Sequence, residues 1–279
     1  MVCALAVLGL VMTACEKNAS DGEVSNMEKT QEVRLSFTPY NVSPMTRAAT
    51  SISNYCTRLD VWISDGTTTT DIHQSSEDAG FGSVSVSLDR TKTYSLVGVA
   101  HKCADAATLE DGVISFPDDK VTHSMVYSTT FSPATTTSLS CLMQRIVGQF
   151  RLEMTDVVPD EVTKFVYTIE GTHSEWNVDG YAANDFNRTG TINLTSRNND
   201  GSVTINLFVM PTNLTDTDNI TITVKAMTAT DSEVESKTFT AAPVKAGYKT
   251  TYHGEFFTTE SMAMTFSADD WNTFDTVNF

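Results

Sequence analysis

Basic residues are scarce in this sequence: 18 Lys and Arg stand against 35 Asp and Glu, a formal net charge of −17. So acidic a chain repels nucleic acid and anionic lipid headgroups, which makes both poor partners. Long helical periodicity is missing as well. There is no nucleophile elbow, no phosphate loop and no His-Glu-x-x-His. An enzyme is therefore not the expected reading, and no cofactor or metal is implied. His101 and Cys103 share one face of a strand, but no second pair with metal-site spacing accompanies them, so they read as an ordinary strand end. The acidic pairs Asp118-Asp119 and Asp269-Asp270 lack the alternating pattern of a calcium loop and read as solvated turns.

What the sequence does contain begins with an apolar stretch, residues 1–14, that ends in Val11-Met12-Thr13-Ala14 before Cys15. It is too short to span a bilayer and has the form of an export signal. Small residues directly before a cysteine resemble a bacterial lipobox, so Cys15 is the expected lipidated first residue of the mature protein. Several acyl chains such as palmitate, at about 0.8 kcal/mol per buried methylene, would hold the protein at the outer membrane. No Lys or Arg precedes the apolar run, so the natural start is expected a few residues upstream. Residues 15–30 are polar and small and read as a flexible tether.

From residue 33 onward the grammar is that of an all-β protein. Residues 33–38, VRLSFT, alternate apolar and polar, which is the period of a half-buried strand. Val33, Leu35 and Phe37 form its apolar face. Pro39 and Pro44 stop it, and Arg47 follows among small polar residues where a trypsin-like protease could reach it. Further alternating runs occupy 58–63, 83–88 and 94–100, and the last of these is apolar on both faces and so central. Residues 67–80 read as a polar loop. Residues 138–154 are too long for one ordinary strand and read as two, with a break near 143–145. The second half repeats the pattern at 163–170, 203–209, 220–226, 234–239 and 249–256. Short strands between polar turns, repeated twice, predict two tandem β-sandwich domains, at 31–143 and 144–279. The apolar tail up to Phe279 is expected to dock somewhere. Cys56, Cys103 and Cys141 remain besides Cys15; three thiols leave one unpaired, and any bridge among them would be structural.

Taken in order, several segments together resemble the Bacteroidales fimbrillin superfamily, the lipoprotein subunits of type V pili, and most of all its FimB-type subunits. They are the lipobox at Cys15, Thr46-Arg47-Ala48 after an early strand, the run from Arg58 to Gly66, and the strand from Tyr94 to His101. Leu142-Met143-Gln144-Arg145-Ile146-Val147, then Thr155-Asp156-Val157-Val158-Pro159, and Tyr252-His253-Gly254-Glu255-Phe256 complete the series. The resemblance implies transthyretin-like sandwiches and assembly by donor-strand exchange. On that pattern an Arg-specific protease cuts between Arg47 and Ala48, the strand carrying Val33, Leu35 and Phe37 leaves, and a strand from another fimbrial subunit takes its place. The apolar C-terminal tail is a candidate donor. The FimB-type likeness implies an anchor that escapes cleavage, whereas Thr46-Arg47-Ala48 implies a shaft or tip subunit. Either role would place the protein on the cell surface, in cell adhesion toward a host or microbial ligand.

A second reading rests on Trp176 and Tyr181, in the segment HSEWNVDGYAAND. Exposed aromatics in such a loop can stack on sugar rings, which would make the protein a surface glycan-binding lipoprotein. Packed loop anchors are the preferred account of the same two residues.

Overall fold

A computed structural model describes residues 29–40 and 51–268. In chain order the strands of the first half are β1 (Thr30–Pro39), β2 (Arg58–Ser64), β3 (Thr69–Ser75), β4 (Ser83–Asp89), β5 (Tyr94–His101), β6 (Thr108–Glu110), β7 (Val113–Ser115), β8 (Met125–Phe131) and β9 (Ser138–Arg145). Those of the second half are β10 (Gly148–Met154), β11 (Lys164–Asn177), β12 (Tyr181–Asn193), β13 (Thr204–Val209), β14 (Asp218–Met227), β15 (Glu233–Val244), β16 (Tyr248–Gly254) and β17 (Ala263–Ala268). The all-β sandwich expected from the sequence is the architecture observed.

In the first half the strand order is β3-β2-β5-β8-β9-β1-β4. The path turns a corner between β8 and β9, which pair only at Met125–Arg145 and Val126–Gln144. The three strands β9, β1 and β4 thereby fold over the other four. Val33, Leu35 and Phe37 of β1 meet Leu59, Val61 and Ile63 of β2 and Leu96 of β5 in one core. These are the alternating apolar positions of the sequence, turned to one side by the period of two. The second half places β13-β10-β16-β17 against β15-β14-β11, with β12 paired to β11. Phe150, Phe165, Ile222 and Val224 lie in its core.

Four features differ from the sequence reading. The break between β9 and β10 falls at Ile146-Val147, just past the expected 143–145. Residues 69–75, expected as loop, are the edge strand β3, paired to β2 along its whole length. Its face is mostly exposed, so no apolar alternation marks it. Residues 173–185 are not a loop but the ends of β11 and β12, joined by a turn in which Gly180 has φ +98° and Asn177 Oδ1 accepts from Asp179 N. Finally, β6 and β7 join the sheet of the second half: β7 pairs with β11 through Ser115–Glu175, Ile114–Trp176 and Val113–Asn177. Residues from both halves then share a junction core that includes Trp62, Val97, Ile114, Ile146, Trp176 and Phe208.

His101 marks more than a strand end. Asp60 and His101 are both fully buried. The Asp60 carboxylate accepts from His101 Nε2 at 2.8 Å, His73 Nδ1 at 2.7 Å and Ala107 N at 2.9 Å. Cys103 N donates to His101 Nδ1 at 3.1 Å, which leaves the proton on Nε2. Burial alone would raise the Asp60 pKa, but the bonds from His101, Ala107 and His73 outweigh it and hold the carboxyl below its ordinary 3.8. Cys56, Cys103 and Cys141 are all free and buried, so none of the three forms a bridge.

Replacing Asp60 by Ala strands buried donors and should cost about 2–4 kcal/mol in urea unfolding. Because the folded pKa is depressed, the advantage of wild type over Asp60→Asn is present above the unfolded value of 3.8 and is lost as pH falls through the lower folded value. Unfolding of both proteins across the acid range checks this.

Candidate functional site

Strand β1 is an interior strand, although it comes first in the described chain. It runs parallel to β9, from Arg34–Ser138 to Pro39–Met143, and antiparallel to β4, from Thr30–Asp89 to Ser36–Ser83. Backbone bonds extend both ladders: Tyr40 N donates to Met143 O at 2.7 Å, Phe37 N to Gly82 O at 2.8 Å and Arg90 N to Lys29 O at 2.7 Å. Among the described residues, strand β4 has no other partner in the sheet. The slot between β9 and β4 is thus a site that one extended segment fills, with its backbone bonded on both sides.

Side chains fix the register of that segment. Val33, Leu35 and Phe37 are 0, 1 and 2% exposed. A one-residue slip would turn all three to solvent, so burial forbids it. Phe37 reaches across the sandwich to β5. A Cβ placed on Gly98 would lie 2.6 Å from Phe37 Cε1, so the glycine makes room for the ring. This explains a glycine within an otherwise β-branched and apolar strand. Cys141 stands opposite Phe37 on β9. Its thiol is fully buried, and burial pushes its pKa up to about 12.

The expected site residues fall as follows. Val33, Leu35 and Phe37 converge on the slot. Cys15, Arg47 and Ala48 lie outside the described residues, as does the tail beyond Ala268. Before that tail, β17 pairs antiparallel with β16 at the sheet edge. Trp176 is 1% exposed and packs in the junction core. It therefore presents no face to a sugar ring, and for this residue the preferred packed-anchor reading, not the glycan reading, is the one observed. Tyr181 is exposed and stands apart from it at the start of β12. Sequence reasoning missed Gly98 and Cys141 as parts of the slot. Only the register of β1 against β9 and the packing across to β5 bring them there.

These features define an all-β sandwich protein whose first strand occupies an interior slot. No family model matches the chain, and no curated protein matches it. Solved structures share its fold. A candidate adhesin from Bacteroides thetaiotaomicron superposes with a TM-score of 0.54 at 11% identity, covering 87% of this chain and 97% of its own. A candidate polysaccharide-binding protein from the same organism gives 0.56 at 9% identity, over 85% and 96%. The fimbrial anchor protein Mfa2 from Porphyromonas gingivalis aligns over 86% and 98% at 9% identity, with a TM-score of 0.45 that is too low to add weight. At these identities the likeness establishes the fold alone.

Gly98→Ala should destabilise the protein by about 1–3 kcal/mol through overpacking. Phe37→Leu in the same chain should recover part of that loss. A double-mutant cycle by urea unfolding measures the coupling, and purely additive losses would refute the contact.

Proposed function

We propose that this protein is a non-enzymatic fimbrial subunit of the cell surface, held at the outer membrane through a lipidated Cys15, in which β1 is a replaceable strand. One observation carries the reading: β1 is buried between β9 and β4, yet joins the rest of the chain only through residues 41–50, which contain Arg47-Ala48. A cut there severs the covalent link between β1 and the strands that follow it. Another subunit can then supply a strand to the same slot. The adhesin descriptions of the structural neighbours support the same role. In an uncut chain β1 stays in place, and the subunit serves as a lipid-held anchor. We further place the division of the chain at Ile146-Val147, between β9 and β10, rather than at the expected 143/144, which falls inside β9, with the β6–β7 hairpin reaching across it.

The energetics fit exchange rather than simple loss. Each of the three buried side chains is worth roughly 1.5–3 kcal/mol, and each ladder hydrogen bond about 0.5–1.5 kcal/mol net. Together these approach the net stability of a typical domain, about 5–15 kcal/mol. An empty slot is therefore strongly driven to refill.

Cys141 reports on the slot. After an Arg-specific protease cuts at Arg47 and the released fragment is removed, Cys141 should become open to alkylation. A synthetic peptide of residues 30–40 should protect it again. Arg47→Ala should remain full-length, protected and unable to form multimers. Multimers of unchanged length from that variant, or a Cys141 that stays protected after β1 has been removed, would refute strand exchange. Intact mass of the protein from washed cells separates a chain beginning at Ala48 from one beginning at an acylated Cys15.

A further inference from the structure

A cleft of about 430 Å³ lies on the other face of the sheet that closes the β1 slot. Side chains alternate along β5: Leu96 faces the slot core, whereas Ser95 and Val97 line the cleft. Trp62 of β2 and Val97 form its floor, and Leu109 of β6 and Val178 of the β11–β12 turn wall it. Asp71 of β3 stands opposite Trp62 in the strand register. Asp111 sits over the sheet at the tip of the β6–β7 hairpin, with φ +48° beside Gly112 at φ +80°. That tip is tied down, because Val178 N donates to Gly112 O at 2.9 Å.

The polar groups of the cleft are almost all acceptors. Thr69 Oγ1 donates to Ser64 Oγ at 3.1 Å and Ser95 Oγ donates to the Ser64 carbonyl at 3.3 Å, so these two hydroxyl protons are already engaged. Gly66 N also donates to Ser64 Oγ. The carboxylates of Asp71 and Asp111 have no hydrogen-bond or ion-pair partner among the described residues. A neutral sugar needs donors as well as acceptors. A guanidinium is the opposite complement: five N–H donors and no acceptor. Its aliphatic stem suits walls made of Leu109 and Val178. The charge of −17 attracts such a group from a distance.

We infer that this cleft seats an arginine side chain presented by a partner polypeptide, between the carboxylates of Asp71 and Asp111 and above Trp62. The site is independent of β1 and of its exchange. Three tryptophans in the chain allow fluorine NMR on protein labelled with 5-fluorotryptophan, with the Trp62 signal assigned through Trp62→Phe. N-acetyl-arginine methylamide should shift that signal saturably. The neutral isostere N-acetyl-citrulline methylamide should not. Asp71→Asn combined with Asp111→Asn should weaken binding by at least about tenfold, equivalent to about 1.4 kcal/mol, at an unchanged melting temperature. Ser95→Tyr narrows the cleft with both carboxylates retained and should also abolish the shift. In about 1 M salt, where the Debye length is about 3 Å, binding should weaken as well. An equal response to arginine and citrulline would overturn the inference. So would undiminished binding by the charge-neutralised protein, or a Trp62 shift with N-acetylglucosamine and none with arginine.

Discussion

The double ladder that seats β1 between β9 and β4 is the contact on which the first sandwich depends. One strand supplies the backbone partners of two others, and among the described residues β4 has no alternative neighbour. The same strand carries Val33, Leu35 and Phe37 into the core. Backbone and side-chain contributions therefore stand or fall together. The pairing of β1 is parallel with β9 and antiparallel with β4, and the burial of its alternate side chains fixes its register against both.

The second sandwich is not simply appended to the first. The β6–β7 hairpin leaves the first half of the chain and adds to the sheet of β11. Around it, Trp62, Val97, Ile146, Trp176 and Phe208 make a junction core. The buried Asp60 carboxylate lies beside this region and gathers His73, His101 and the N–H of Ala107. A charged group so placed is tolerated because each carboxylate oxygen has donors.

The sheet of β2 and β5 serves two surfaces at once. Gly98 opens the slot side to the Phe37 ring. Trp62, Val97 and Ser95 face the acidic cleft on the other side. The alternation of a strand places the two surfaces back to back, a pleat apart.

Much of this was legible in the residues. The alternation at 33–38 and 83–88 and the doubly apolar run at 94–100 specify strands and their buried faces, because period-two burial leaves a direct trace in the sequence, whereas the alternation at 203–209 specifies the strand but not its burial, which takes in Asn206 and Phe208 as well. The polar edge strand β3 left no such trace, since its face is mostly exposed. The 173–185 segment misled for a related reason. Asn, Asp and Gly there mark one tight turn at the tip of a long hairpin, and the flanking polar residues are still strand. The sequence by itself determined the all-β class, the apolar face of β1 and the acidity of the surface. These depend on local pattern and composition. Only the tertiary structure decided that β1 is interior and parallel to β9, and that Gly98 and Cys141 meet Phe37. It alone brought Asp71 and Asp111 to one cleft. Those relations join residues far apart in the chain, and strand pairing across such distances follows from how the whole sheet closes.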